Sequence, residues 1–383
     1  MHYLYARSQR IREGGGGSMS RGRLRRVAVA AFAGASVMIM IGSASAALAA
    51  TGWTVETIPQ TGNNTVLLGA SARTSTDAWA VGQQNAGAGQ APPPPVSYHW
   101  NGTAWSLVPT PTLGVSSALR GVSASTANDA WAVGFSLLGR RDYGTMIEHW
   151  NGTAWSVNSS LVVTGSFAEL TGVADLSPSN AWAVGQGGAG GLLEHWNGTA
   201  WSSVALPDPN FTPGVDESIS ASSASDIWVV GSTVNTATGT TAGEGLHFNG
   251  TAWSVVPMPL GAGAVTDISA TDAWAVGGAS IEKWNGTSWS VVPSPAPGAD
   301  LGLTGVAARG PDDVYAVGDD IPSINGGTVQ GIILRWNGSA WSQDSDPTDG
   351  SYSPLFGAAA VSGAANEWAV GTLSNTSLIL SHG

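Results

Sequence analysis

The chain has no cysteine. That absence removes disulfides, thiolate metal ligands and cysteine nucleophiles together, so packing alone must hold the fold. Charge is scarce, at 10% of 383 residues. The longest apolar run, residues 27–41, spans about 15 residues, short of the ~20 needed to cross a bilayer as a helix. There is no glycine-rich phosphate loop, and histidine is limited to six residues. What is present is apolar and turn-rich: 53 glycines, 20 prolines, 18 tryptophans and 43% hydrophobic residues. That composition supplies a core and argues against general disorder.

The first 50 residues differ in kind from the rest. Arg21, Arg23, Arg25 and Arg26 precede the apolar run, and small residues follow it, ending Ala44-Ser45-Ala46-Ala47-Leu48-Ala49-Ala50. Basic, apolar and A-x-A-like parts in that order predict a cleavable export signal over 19–49, with the cut near Ala46 or Ala49 and a secreted product. Residues 1–18, with Gly14-Gly15-Gly16-Gly17-Ser18, fit neither signal nor fold and read as a mis-assigned start or disordered leader ahead of Met19. Seven of the 14 Lys+Arg and one of the 26 acids precede residue 51, so the mature chain carries 7 basic and 25 acidic groups, a net of −18. That balance excludes nucleic-acid binding by a basic patch. It suits a soluble, monomeric exported protein with no membrane contact after cleavage.

One pattern recurs: Asp-Ala-Trp-Ala-Val-Gly, a variable gap, then Glu-His-Trp-Asn-Gly-Thr-Ala-Trp-Ser. The first half starts at Asp77, Asp129, Asn180, Asp226, Asp272, Asp313 and Asn366. Spacings of 41 to 53 residues match a four-stranded propeller blade. Each repeat reads as a small-residue inner strand, a second strand alternating large and small residues at period 2, then third and fourth strands around Asn-Gly. Asn151-Gly152 predicts a two-residue type I′ hairpin there. The second half appears six times; the seventh is split between Leu378-Ile379-Leu380-Ser381-His382-Gly383 and Thr51-Gly52-Trp53-Thr54-Val55. Residues 51–383 therefore predict an all-β, seven-bladed β-propeller with four antiparallel strands per blade, closed by the N-terminal strand completing the C-terminal blade.

The third strand, tight turn and following Trp resemble Asp-box (BNR) and Ycf48-type propeller repeats, and more loosely kelch repeats, with Asn-Gly-Thr-Ala-Trp where those families have an Asp-Gly-Gly-x-Thr-Trp turn. The resemblance implies a bacterial secreted propeller and does not extend to catalysis. Asp-box sialidases use three arginines from different blades; here Arg73, Arg120, Arg140, Arg141, Arg309 and Arg335 have no such context. The kelch-type oxidase needs a Tyr–Cys crosslink, which this chain cannot make.

All 18 tryptophans occupy repeat positions and are assigned to packing, leaving none over for stacking a sugar. Apart from His2, the histidines (His99, His149, His195, His247, His382) are read as one third-strand column, replaced by Lys283 and Arg335 in the other repeats. The expected role is to pair with the Asp/Asn that opens the second strand, which leaves no catalytic histidine.

Candidate sites fall on the top face, where the loops joining second to third strands (83–96, 135–145, 232–245, 319–330) are long and dissimilar. Arg140-Arg141-Asp142-Tyr143 is the densest polar cluster outside the repeat, offering forked donors and an aromatic face. Asp208, Asp216 and Glu217 with Asp319 and Asp320 are the acids placed for paired-carboxylate chemistry. Asp344, Asp346 and Asp349 resemble a calcium loop one residue out of register, without a distal Glu. No cofactor is required; calcium is the one candidate. The expected function is a secreted, non-catalytic binding or scaffold propeller recognising an extracellular glycan or protein. The alternative is a polysaccharide hydrolase or lyase using top-face carboxylates.

Overall fold

In the computed structural model seven antiparallel sheets, none containing a helix, are arranged as the blades of a β-propeller. It describes residues 52–62, 64–84, 94–139, 142–159, 161–165, 167–188, 190–216, 218–295, 300–321, 327–348 and 350–383. The 19–49 signal, the 1–18 leader, Arg140, Arg141, Glu217 and Asp349 lie outside the described residues.

Blade 1 shows the plan: Thr65–Thr74 innermost, then Asp77–Gln84, Val96–Trp100 and Trp105–Leu107 at the rim. The innermost strands touch their neighbours all the way round, Leu355–Ala360 of blade 7 meeting Thr65–Thr74 of blade 1. Such crowding selects small residues, and glycine sets its limit. A Cβ on Gly69 would stand 3.1 Å from the Gly121 Cα of blade 2, and one on Gly121 equally close to Gly172 of blade 3. These glycines end a recurring Leu-x-Gly (Leu67–Gly69, Leu119–Gly121, Leu170–Gly172, Leu303–Gly305, Leu355–Gly357) at which each innermost strand carries a register shift. The extra residue pushes a carbonyl toward the second strand, where the Gly of Ala-Val-Gly receives it. A Cβ on Gly134 would lie 1.9 Å from the Ala118 oxygen. Gly134→Ala should therefore cost about 3 kcal/mol or more, since the obstacle is backbone. Gly139→Ala, with nothing within 4 Å, should leave the melting temperature unchanged.

The second strands alternate a ring (Trp, or Tyr315 in blade 6) and Val toward the next blade with Ala toward the previous one, Ile227, Val229 and Val314 replacing Ala in blades 4 and 6, giving one buried cluster at each of the seven joints. At each joint the second-strand ring meets the third- and fourth-strand rings of the following blade. Trp79 meets Trp150 and Trp155 at 5.0 Å each, and Trp368 meets Trp100 and Trp105 at 6.3 and 6.2 Å. The fourth-strand indole stands edge-on, 74–89° to its partner, the geometry aromatic quadrupoles favour. The split repeat rejoins as expected. Thr54 pairs Ser381 and Val55 pairs Leu380 at the rim of blade 7, and Trp53 packs edge-on against Tyr315 at 5.7 Å.

Two local readings are corrected. The Asn-Gly turns are four-residue loops, with Trp150 paired to Trp155 across Asn151–Ala154. The Asn151 carboxamide oxygen accepts from the Thr153 and Ala154 amides, and Gly152 alone has positive φ, whereas type I′ requires two such residues. The positive-φ pair is Ser374-Asn375 in blade 7, between paired Leu373 and Thr376. Second, the "loops" at 135–145 and 232–245 are largely strand: Asp129–Gly139 pairs Asp142–Trp150, and Asp226–Asn235 pairs Thr240–Phe248.

Candidate functional site

The bottom of the ring carries the histidine column. His99 Nε2 lies 2.8 Å from Asp77 Oδ1, His149 2.6 Å from Asp129, His247 2.7 Å from Asp226, and His195 3.0 Å from Asn180. Lys283 and Arg335 reach Asp272 and Asp313 at 3.4 and 3.0 Å. Each imidazole in blades 1 to 4 also lies on the second-strand Trp, at 4.2–4.4 Å between centroids. Burial pushes Asp77 up, but His99 and Arg73 outweigh it and hold the carboxyl below its usual value. The pairs occupy second-strand starts and third-strand ends, so they share the face of the short turns. Gly102 abuts Thr76, and the Trp100 indole donates to Ser75 O. This is a structural rim.

Blade 7 departs from the column. Trp368 pairs with Ser381, while His382 stands opposite Glu367. His382 therefore fills the third-strand tryptophan position, packs against Trp53 at 5.5 Å with the rings tilted by 45°, and takes Glu367 rather than Asn366 as its acid, at 3.7 Å. Leu380-Ser381-His382 holds no Trp against which the motif could be registered.

The opposite face holds the candidate site at the mouth of the central channel. Arg120, the bulged residue of blade 2, donates to Glu169 of blade 3 at 3.2 Å, and Gln186 donates to the same carboxylate at 2.9 Å. Asp216 lies where the innermost strand of blade 4 is interrupted between Phe211–Pro213 and Ile219–Ser223. Its carboxylate lies against blade 5, where a Cβ on Gly263 would come within 2.7 Å. Asp216 keeps part of its surface open yet is packed deep in the mouth. Burial raises it to about 7, Arg120 opposing and Asp319 of blade 6 adding to the rise. Asp319 in turn acts on Tyr352, whose hydroxyl burial has already pushed up. Blades 2, 3, 4 and 6 thus contribute Arg120, Glu169, Asp216 and Asp319 to one mouth.

Of the acids predicted from sequence, Asp216 and Asp319 are brought together. Asp320, next in the same strand, points to the other side of the sheet. Asp208 sits apart, accepting from Thr233 Oγ1 at 2.6 Å and the Asn210 amide at 2.8 Å, contacts that hold it below its usual value. Sequence reasoning missed Glu169, Gln186, Glu244 and Tyr352, none of which stands in a shared motif.

At the top of blade 2, Asp142 is exposed beside Gly139 at the hairpin end, and Tyr143 is half-buried. Tyr143 stacks on Phe167 at 5.9 Å and contacts Phe135 at 5.6 Å. The short strand Thr164–Gly165 adds to the hairpin, with Thr145 bonded to Val163 in both directions.

Of the predicted calcium-loop acids, Asp344 and Asp346 serve the chain itself. Asp346 accepts from the Thr348 amide at 2.9 Å and its hydroxyl at 2.6 Å, and Asp344 accepts from the Ser345 amide at 2.8 Å. Among the described residues no group of three His, Cys, Asp or Glu is placed to hold a metal ion. Melting curves in millimolar calcium and in chelator are expected to coincide; a calcium-dependent rise would mark a bound ion.

No protein-family model matches the chain, and no curated protein sequence does. Solved structures do. YCF48 bound to D1 peptide is similar with a TM-score of 0.57 at 16% identity, over 88% of this chain and 98% of that one. YCF48 from Cyanidioschyzon merolae gives 0.54 at 15%, over 86% and 98%. U3-55K gives 0.57 at 11%, over 88% and 99%. At these identities the likeness is one of fold, and the fold shared is a β-propeller.

Proposed function

We propose that this chain is a secreted, non-catalytic propeller that binds a protein partner through the top of blade 2 and the adjoining channel mouth. The observation that carries the reading is one apolar patch. Val115, Leu138, Val162 and Phe167 are 50, 41, 44 and 60% exposed. They are neighbours: a Cβ on Gly144 would touch Leu138 at 3.1 Å and Val162 at 3.5 Å, Val115 bonds to the Leu137 carbonyl, and Phe167 stacks on Tyr143. Phe167 adopts φ +64°, a conformation that costs a bulky side chain energy and is kept where surrounding structure imposes it. Exposed aromatic and aliphatic side chains grouped this way mark protein-contact surfaces. Glu169 follows Phe167 by two residues, joining patch to mouth. All eighteen indoles are engaged in ring contacts within the blade joints, which weighs against a stacked glycan. A propeller of this fold is known with a bound peptide.

The test is capture of partners from the native extracellular medium by the wild type and by Leu138→Ser/Phe167→Ser, then titration with each purified partner. The expected result is one protein whose affinity falls at least tenfold in the double variant. Glycan-array hits without a protein partner, or binding indifferent to both substitutions, would overturn it. Turnover of a polysaccharide lost in Asp216→Asn/Asp319→Asn would favour the hydrolase reading instead.

A further inference from the structure

Residues 206–213, the connection from blade 3 to blade 4, cross the top face as a strap between two hairpins. On one side the strap lies over the glycine turn of blade 3. A Cβ on Gly190 would be 3.6 Å from the Pro209 carbonyl oxygen, and one on Gly191 would be 3.0 Å from Leu206. Gly187, Gly188, Gly190 and Gly191 line a cleft of about 370 Å³ with Val163 and Thr164. On the other side the strap is fastened to blade 4. Phe211 is fully buried and pairs with Thr233, and the exposed stretch before it is held by Asp208.

Asp208 has one more neighbour, Glu244 on the third strand of blade 4: the Thr233 side chain that donates to Asp208 stands on the same face of the sheet as Glu244, two residues away in register, and the Asp208 charge acts on Glu244. Glu244 is 6% exposed, and its Oε1 has no hydrogen-bond partner. Two carboxyl groups in contact stay together only while they share a proton. The groups facing Glu244 are otherwise uncharged: Gly231 and Thr233 on the second strand, and Pro257 on the fourth. The Thr233 hydroxyl is already committed to Asp208.

We propose that Asp208 and Glu244 form a proton-operated latch, which holds residues 206–210 on blade 4 while one proton is shared and frees them when both carboxyls ionise. Phe211 stays seated as the pivot, and the cleft opens at its Gly190 end. Burial, with the Asp208 charge adding, lifts Glu244 to about 7, so the latch works around neutrality. It stands independently of what the top face binds.

The test is amide hydrogen exchange of the mature chain at pH 6 and pH 8, corrected for the intrinsic pH dependence of exchange. The Asn210 and Phe211 amides bond to Asp208 and report on the latch. For a group titrating near 7 when latched and near 4.5 when free, their protection should fall about tenfold between the two pH values, with Asp226–Asn235 unchanged. Glu244→Gln keeps a donor toward Asp208 and should abolish the step; Asp208→Asn removes the repulsion from the other side and should do the same. Equal protection of the wild type at both pH values, or an unaltered step in either variant that folds, would overturn the latch.

Discussion

Removing residues 51–58 will open the ring. The deletion takes Trp53 out of the joint between blades 6 and 7, where it is buried against Tyr315 and His382. It also takes buried Ile58 out of the joint between blades 7 and 1, where it packs with Trp105 and Trp368. The pairing of Thr54 and Val55 and the Glu56 amide bond to Ile379 O at 2.9 Å go with them, leaving Thr376–His382 as a bare edge prone to pairing with another chain. Truncating one buried Trp costs about 3–5 kcal/mol and one Ile about 2–5 kcal/mol, together most of a usual stability of ~5–15 kcal/mol. The 59–383 protein should aggregate. Trp53→Ala alone should melt about 5–15 °C lower. Removing 1–49 should change nothing. Opening the chain in the Asn101-Gly102 turn, with a short linker from 383 to 51, should preserve the fold, because both joints survive. A monomeric 59–383 protein with unchanged melting temperature would sink the closure.

The ring was legible because its constraints are local and repeated. The ring at each second strand (Trp in six blades, Tyr315 in blade 6) and Trp at each fourth need only the blade period to be placed, and the split seventh repeat follows by counting. The Leu-x-Gly bulge was equally present five times, at Leu67, Leu119, Leu170, Leu303 and Leu355. It passed as generic small residues because what limits the glycine lies on the neighbouring blade, as with the Arg120 oxygen beside Gly69, Ile219 beside Gly172 and Gly357 beside Gly305. The mouth was not legible. Arg120 and Thr171 occupy equivalent bulges, yet one reaches Glu169 and the other bonds to Gly214 O within the next blade's interruption. Which one arrives at the channel depends on an insertion in blade 4 that no repeat encodes. Asp208 was singled out for its charge, but its partner Glu244 sits two residues before the Leu246 that the repeat made prominent, and a repeat hides what it does not share.

The third strand also hides a liability that pH will expose. In its Glu-His-Trp motif the His serves the bottom rim, while the Glu turns to the opposite face. Glu148 pairs with Ala132 in the joint between blades 1 and 2, and Glu194 with Ala183 in the joint between blades 2 and 3. Both are 0% exposed, and neither oxygen of either has a hydrogen-bond partner among the described residues. In the same column Tyr98 donates to Pro59 O and Glu282 accepts from the Leu260 amide, while Leu246, Leu334 and Leu380 are apolar. Burial alone lifts Glu148 to about 8 and Glu194 to about 7. A folded-state pKa raised above the unfolded one means that the native chain binds more protons between the two, so stability falls as pH rises from about 4.5 to about 8. At about 1.4 kcal/mol per pKa unit, Glu148 alone should cost on the order of 2–4 kcal/mol at pH 8. Asp175 and Glu367, raised mainly by burial to about 8, add in the same direction. His195 and His382, lowered chiefly by burial, act oppositely below about 6.5. The melting temperature should therefore rise on acidification from pH 8 to pH 6. Glu148→Leu/Glu194→Leu, which restores the residue used by three other blades, should melt higher at pH 8 and lose much of that slope. A wild type at least as stable at pH 8 as at pH 6, or a double variant with the full slope, would show that the two carboxyls are not buried as acids in the joints.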